Sequence, residues 1–285
     1  MSESTLPGKT ALVTGATNGI GFITARELAK AGMKVLLHGR DAARGLDAVA
    51  RIWSAVPGAD VTYVEADFAD LASVRKLAAS LTETVPRLDV LVNNAGAIFA
   101  RREVSAQGYE LTFAVNHLAP FLLTNLLLGS LKAAAPARIV NVASRAHRGP
   151  QIDFSDINLV TGYWPGRAYQ TSKLANILFT RALARRLEGT GVTANCLHPG
   201  VVRTHFAQDK GGIIGIGFRL LSPLFIPAED GAKTSLYLSL SPDVASVSST
   251  YFDKCAPLEP SRMARDDSAA EALWTLSAEM VGLTF

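Results

Sequence analysis

The 285-residue sequence holds only two cysteines, Cys196 and Cys255. Two thiols so far apart make neither a disulfide framework nor the ligand spacing of a structural zinc site. The five histidines are dispersed and add no metal cluster. Lone cysteines of this kind fit a reducing compartment, where they act as small apolar side chains, and a cytoplasmic location is expected. Charge of one sign is equally scarce, since Lys+Arg 28 against Asp+Glu 25 leaves +3. The basic residues form no run interleaved with aromatics, which argues against a nucleic-acid partner. The start of the chain, Met1–Lys9, is polar, so no signal peptide is expected. The most apolar stretch, Gly211–Pro227, is broken by Arg219 and Pro223. No transmembrane segment is expected, and that stretch allows at most peripheral membrane contact.

What is abundant is apolar: 48% of residues are hydrophobic and 19% charged, which excludes disorder for the bulk of the chain. Short apolar runs at Thr10–Thr14, Lys34–His38, Val61–Glu65, Asp89–Val92, Arg138–Ala143 and Thr193–Leu197 read as strands. Between them, Ile20–Ala31, Leu71–Val85, Gly108–Ala133 and Ala168–Gly189 repeat apolar residues at helical spacing. Such alternation predicts βαβ units and a parallel sheet covered by helices on both faces. No linker or repeat divides the chain, so residues 1–285 are expected to form one domain. The apolar excursion Arg203–Ala228 reads as a substrate loop or lid, and Asp266–Phe285 as a C-terminal tail.

The first strand runs through Gly15-Ala16-Thr17-Asn18-Gly19-Ile20-Gly21 directly into a helix. Glycines there permit a tight turn and a close backbone approach, and a helix N-terminus attracts a pyrophosphate. Gly15, Thr17, Asn18, Gly19, Ile20 and Gly21 are therefore candidate dinucleotide ligands. At the end of the second strand, His38-Gly39-Arg40-Asp41 lacks an acid at Gly39. An acid would bond ribose hydroxyls, whereas Arg40 suits the extra phosphate of NADP(H), which is favoured over NAD(H). Asp41 stands against that choice, because a shift of one residue would bring a carboxylate to the ribose.

Tyr169 and Lys173 lie four apart in a helical segment and so share a face. An ammonium near a phenol is expected to lower the phenol's pKa and make it a proton donor or acceptor for a carbonyl or alcohol. Ser144, just past the fifth strand, could hold the substrate oxygen, and Asn116 places an amide in an apolar helix.

The G-x-x-x-G-x-G spacing, Asn93-Asn94-Ala95-Gly96, Asn116, Ser144, Tyr169-Gln170-Thr171-Ser172-Lys173 and Pro199-Gly200 stand in the order of the classical short-chain dehydrogenase/reductase family, which the chain resembles. Ser144-Arg145-Ala146-His147, Ser235-Leu236-Tyr237 and Tyr251-Phe252-Asp253-Lys254-Cys255 resemble its retinol-dehydrogenase-like branch. The resemblance implies a doubly wound Rossmann-type α/β domain with a mainly parallel seven-stranded sheet. It implies catalytic Tyr169, Lys173, Ser144 and Asn116, with Asn116 holding a water that relays protons from Lys173. Asp67 and Phe68 would lie at the adenine. Asn93, Ala95 and Gly96 would lie on the adenosine side, and Pro199, Gly200, Val202 and Thr204 near the nicotinamide. The expected reaction is hydride transfer between NADP(H) and a lipophilic carbonyl or alcohol. A redox sensor that binds NADP(H) without turnover is the competing reading, disfavoured by the intact Ser144, Tyr169 and Lys173. The resemblance also implies a homo-oligomer through the helices at Gly108–Ala133 and Ala168–Gly189, unless the chain's own tail covers them.

Overall fold

Parallel strands buried on both faces read as near-continuous apolar runs, and the central strands do so apart from polar residues such as Asn93, Asn141 and Asn195. The computed structural model describes residues 6–149, 151–200 and 226–284. In it β1 (Thr10–Val13), β2 (Lys34–Gly39), β3 (Val61–Glu65), β4 (Val90–Asn93), β5 (Ala137–Val142), β6 (Val192–His198) and β7 (Tyr251–Asp253) are all parallel. The short β8 (Ala256–Pro257) closes the edge in antiparallel pairing with β7. The order is β3-β2-β1-β4-β5-β6-β7-β8, so the sheet has the seven expected parallel strands plus one. The order reverses between β1 and β4, and at such a switch point ligands sit beyond the carboxyl ends of the strands.

Helices α1 (Gly19–Lys30) and α2 (Ala42–Ala55) pack on one face. Asn18 and Asp41 cap them, each side chain accepting a backbone N–H of the first turn. On the other face lie α3 (Leu71–Thr84), capped by Asp70, and a broken helical run. That run comprises α4 (Leu111–Phe113), a π-helical turn Ala114–Leu118, α5 (Ala119–Leu126) and α6 (Leu128–Ala133). The long α7 (Pro165–Arg186) follows on this face, whereas α8 (Ala228–Leu240) returns to the α1 side.

The tail forms a helix, α9 (Asp267–Val281), capped by Asp266 and ended by the left-handed Gly282. Its Trp274 packs edge-on against Phe121 of α5, with ring centroids 4.9 Å apart, and stacks on Phe179 of α7. Arg186 lies over the indole at 4.1 Å, and Arg181 and Arg185 pair with Asp267. Ser277 meets His117 of the π-helical turn, Nε2 to Oγ, at 2.8 Å. Thus α9 covers faces of α5 and α7 that the sequence left open to a second copy. Of the apolar excursion Arg203–Ala228, only Ile226 to Ala228 is described; Val202 and Thr204 also lie outside the described residues. Among the described residues no helix is long and apolar enough to cross a membrane.

Trp274 is 4% exposed, so Trp274→Ala should leave a cavity between α5, α7 and α9 and cost about 3–5 kcal/mol. Urea denaturation checks this, and a loss below about 1 kcal/mol would show that α9 adds little to the core.

Candidate active site

The loop joining β1 to α1 passes so close to the loop after β4 that side chains are excluded. A Cβ on Gly15, whose φ is +62°, would come within 2.8 Å of the Ala95 Cα, and one on Gly21 within 2.4 Å of the Asn94 amide and the Gly15 carbonyl. The Asn94 side chain donates to the carbonyls of Thr14 (2.8 Å) and Gly15 (3.1 Å). The buried Thr14 hydroxyl in turn accepts the N–H groups of Asn94 and Ala95, each at 3.0 Å. Ala16 and Gly21 form a buried floor, while Gly15, Thr17, Asn18, Gly19 and Ile20 stay accessible above it.

His38 ties this turn to the neighbouring strands. Its Nδ1 accepts the Gly15 N–H (3.2 Å), and its Nε2 lies 3.1 Å from the Ala66 carbonyl. A carbonyl can only accept, so Nε2 carries the proton and the ring is neutral. Burial supports this by pushing its pKa down to about 4. Phe68 stacks on the ring with centroids 4.4 Å apart, and its side chain is buried in the core. Asp67 remains exposed, its carboxylate accepting the Ala69 N–H. Arg40 is exposed, whereas Asp41 accepts the Arg44 N–H at 3.0 Å and is committed to capping α2.

Asn93, expected on the adenosine side, turns its side chain into the core. Its amide donates to Thr124 (2.9 Å) and Asn141 (2.8 Å), and Asn141 passes the chain to Thr180 of α7. Ala95 and Gly96 stay accessible. A Cβ on Gly96 would lie 3.3 Å from the Asn116 Oδ1 and 3.5 Å from the Lys173 Nζ, so the loop after β4 runs directly over the catalytic candidates.

Ser144 lies two residues beyond β5, extended and 9% exposed. Tyr169 and Lys173 stand one turn apart on α7, and the Ser144 hydroxyl hydrogen-bonds the Tyr169 phenol. Tyr169 is partly accessible, yet crowded enough that burial raises its pKa, and the Ser144 bond draws it back. Lys173, expected from the spacing to lower it, does stand beside the phenol. Its Nζ donates to the Val142 carbonyl (2.9 Å) and lies over the phenol ring, 5.5 Å from the centroid. The lysine is itself 3% exposed, and burial brings its pKa down to about 8.

Asn116 sits in the π-helical turn. Its Oδ1 accepts the Ala97 N–H (2.7 Å), and its amide donates to the Ala97 carbonyl (2.9 Å) and to Ser172 (3.0 Å). With both amide hydrogens used, the side chain braces the loop after β4 against α7. A water relay from Asn116 would have to use its main chain. Pro199 and Gly200 follow β6 and are accessible, and a Cβ on Gly200 would meet Ile226 at 2.4 Å. The sequence reading missed Thr14, His38 and Asn94. Asn94 stands inside the quoted motif, but His38 reads locally as a core residue.

Glycine turn, switch point and a Ser144, Tyr169 and Lys173 cluster thus converge at the carboxyl ends of β1, β4 and β5. The family model described as short chain dehydrogenase matches residues 9–212. The chain belongs to the short-chain dehydrogenase family. It is an oxidoreductase of the alcohol dehydrogenase type. Retinol dehydrogenase 14 of Mus musculus is 45% identical, with 97% of this chain and 86% of that protein covered. Retinol dehydrogenase 12 of Homo sapiens is 42% identical, with 98% and 88% covered. Among solved structures, an uncharacterised protein of Mycobacterium paratuberculosis superposes with a TM-score of 0.79 at 34% identity, covering 99% of this chain and 96% of that one. The RhlG/NADP active-site complex of Pseudomonas aeruginosa superposes with a TM-score of 0.71 at 28% identity, covering 88% and 96%.

Neutral, buried His38 makes this short-chain dehydrogenase acid-sensitive. Its pKa is about 4 folded against an ordinary 6.5, so the unfolded chain binds the extra proton first as pH falls. The contribution is complete above pH 6.5 and is lost between 6.5 and about 4. His38→Gln should flatten the stability-versus-pH slope in that window by about 1.4 kcal/mol per pH unit, read from urea melts. Parallel slopes would mean that the imidazole is not held neutral.

Proposed function

We propose that this dehydrogenase interconverts lipophilic carbonyls and alcohols with NADP(H), with Tyr169 as the proton donor and acceptor. The observation that carries the reading is the Tyr169 hydroxyl bonded to Ser144 on one side of the switch point, with the glycine turn on the other.

The residues present fit a dinucleotide. The accessible upper surface of residues 15–20 lies at the N-terminus of α1, where the helix dipole favours a pyrophosphate. Gly15 and Gly96 keep the backbone free of side chains beneath it. Arg40 would hold the 2′-phosphate, with no acid at Gly39 to repel it and Asp41 engaged elsewhere. Asp67, Ala95, Pro199 and Gly200 line the same side of the sheet, and Lys173 would hold the ribose hydroxyls. Bound NADPH supplies the hydride for the carbonyl carbon.

Ser144 would donate its hydroxyl hydrogen to the substrate oxygen and hold it beside Tyr169. The Tyr169 O–H bond breaks as its proton passes to that oxygen, giving the alcohol, and oxidation runs the steps in reverse. Lys173, stationed one turn away with a pKa of about 8, stays mainly protonated at neutral pH, and its charge favours the phenolate. The names of the relatives suggest a retinoid-like substrate, and the apolar sequence from Arg203 to Ala228 suits a lipophilic one.

All-trans-retinal reduction should be followed with NADPH and NADH in parallel. NADPH should be preferred at least tenfold in kcat/KM, and Arg40→Ala should erase most of that preference. Tyr169→Phe should lose at least a hundredfold in kcat while still binding NADPH, in keeping with the usual worth of a positioned acid. Undiminished turnover by Tyr169→Phe would overturn the mechanism, and preference for NADH would overturn the cofactor assignment.

A further inference from the structure

Ser144 can orient a substrate oxygen only if its own backbone is held, and an unusual set of side chains holds it. Beyond Ser144 the chain makes one 3-10 turn, Arg145–Arg148. The Ser144 carbonyl accepts the His147 N–H (3.2 Å) and lies 2.6 Å from the His147 Nδ1. At the other end of the ring, Nε2 accepts the backbone N–H of Ser261 at 3.1 Å. An amide can only donate there, so Nε2 is bare and Nδ1 carries the hydrogen given to Ser144. The ring is 1% exposed, with Tyr251 edge-on at 5.0 Å. Both ring nitrogens are thus spent on backbone partners, which removes His147 as an acid or base for substrate.

The next residue is held as firmly. The Arg145 N–H donates to the His198 Nδ1 (3.3 Å), and its guanidinium Nε donates to the buried Asp253 carboxylate of β7 at 2.8 Å. Two further contacts run the same way, from Arg148 to the Glu259 carbonyl and from Gln151 to the Met263 sulfur. The turn after Ser144 is therefore clasped by β7 and by the segment that leads into α9. These groups lie more than a hundred residues later in the chain.

We propose that His147 and the Arg145–Asp253 pair are positioning residues that hold Ser144 against Tyr169, making residues 251–263 a structural part of the active site. The proposal rests on the reading that Ser144 and Tyr169 handle the substrate oxygen. An ion pair anchored on the buried Asp253 carboxylate and a fully bonded imidazole fix the Ser144 backbone in one orientation, and small displacements of a catalytic group are costly to rate.

The test compares His147→Phe, His147→Asn, Asp253→Asn and Ser261→Ala in the full chain. Phe fills the volume and makes neither bond. Asn can restore the bond to Ser144 but cannot reach Ser261. Ser261→Ala retains the main-chain N–H and serves as the control. With all-trans-retinal and NADPH, His147→Phe should lose tenfold to a hundredfold in kcat, with NADPH affinity within about twofold of the parent. His147→Asn should recover most of the loss, Asp253→Asn should show a smaller loss of the same kind, and Ser261→Ala should match the parent.

The Tyr169 phenol supplies a readout that does not need turnover. Ultraviolet titration of each protein, minus its own Tyr169→Phe partner, should show ionisation displaced upward by about one unit in His147→Phe, because the Ser144 bond that draws the phenol down is loosened. Parental kcat and phenol titration in both His147→Phe and Asp253→Asn would overturn the proposal. If His147→Phe does not fold, Asp253→Asn decides by the same two readouts. Absence of turnover in the parent would instead overturn the underlying function, and the phenol titration would still judge the positioning.

Discussion

The close approach of two backbones at the end of β1 governs this molecule. Gly15 lies so near Ala95, and Gly21 so near Asn94 and the Gly15 carbonyl, that an added carbon at either place would overlap its neighbours. That approach lets Asn94 and Thr14 stitch the β1 turn to the β4 loop, and lets His38 reach from β2 to the Gly15 amide. It sets where α1 begins, and so where a helix N-terminus faces outward. It also brings Gly96 over Asn116 and Lys173, joining the cofactor side of the site to the catalytic side.

On the catalytic side the constraint is desolvation. Lys173 is buried with its Nζ on the Val142 carbonyl, and burial brings its pKa down to about 8, close to where it would lose its charge. Tyr169 is raised by the same burial, and its bond to Ser144 draws it down. The Ser144 hydroxyl therefore shares with Lys173 the tuning of the proposed acid. The groups clasping the Ser144 backbone come from β7 and the segment before α9, and α9 then seals α5 and α7 through Trp274. The end of the chain thereby supports both core and site.

Much of this was legible in the residues. Buried parallel strands give mainly apolar runs, and the six predicted strands agree with β1 to β6 to within a residue or so at each end. The glycine turn and the Tyr169 and Lys173 face were equally local. The interruption of Gly108–Ala133 was not, because Asn116 is held by Ala97 and Ser172, which are distant in sequence, and its apolar spacing suggests one helix. Asn93 closes β4 and Phe68 lies in the loop after β3, as expected, but only their burial shows that their side chains face the core. His38 acquires its role when three strand ends gather, and β7 is too short to show an alternation. The helix within the tail did have signals, with Asp266 before it, Gly282 after it, and Ala270, Leu273, Trp274, Ser277 and Val281 at helical intervals.

The central claim is that the cradle at the switch point delivers a hydride to a carbonyl carbon set beside Tyr169. The most direct measurement uses NADPH with deuterium at the transferable nicotinamide position, all-trans-retinal as acceptor, and mass analysis of the alcohol formed in ordinary water. The account predicts retinol with one deuterium on its carbinol carbon, formed in step with loss of NADPH. Retinol without deuterium, or retinal left unreduced while NADPH is bound, would contradict it.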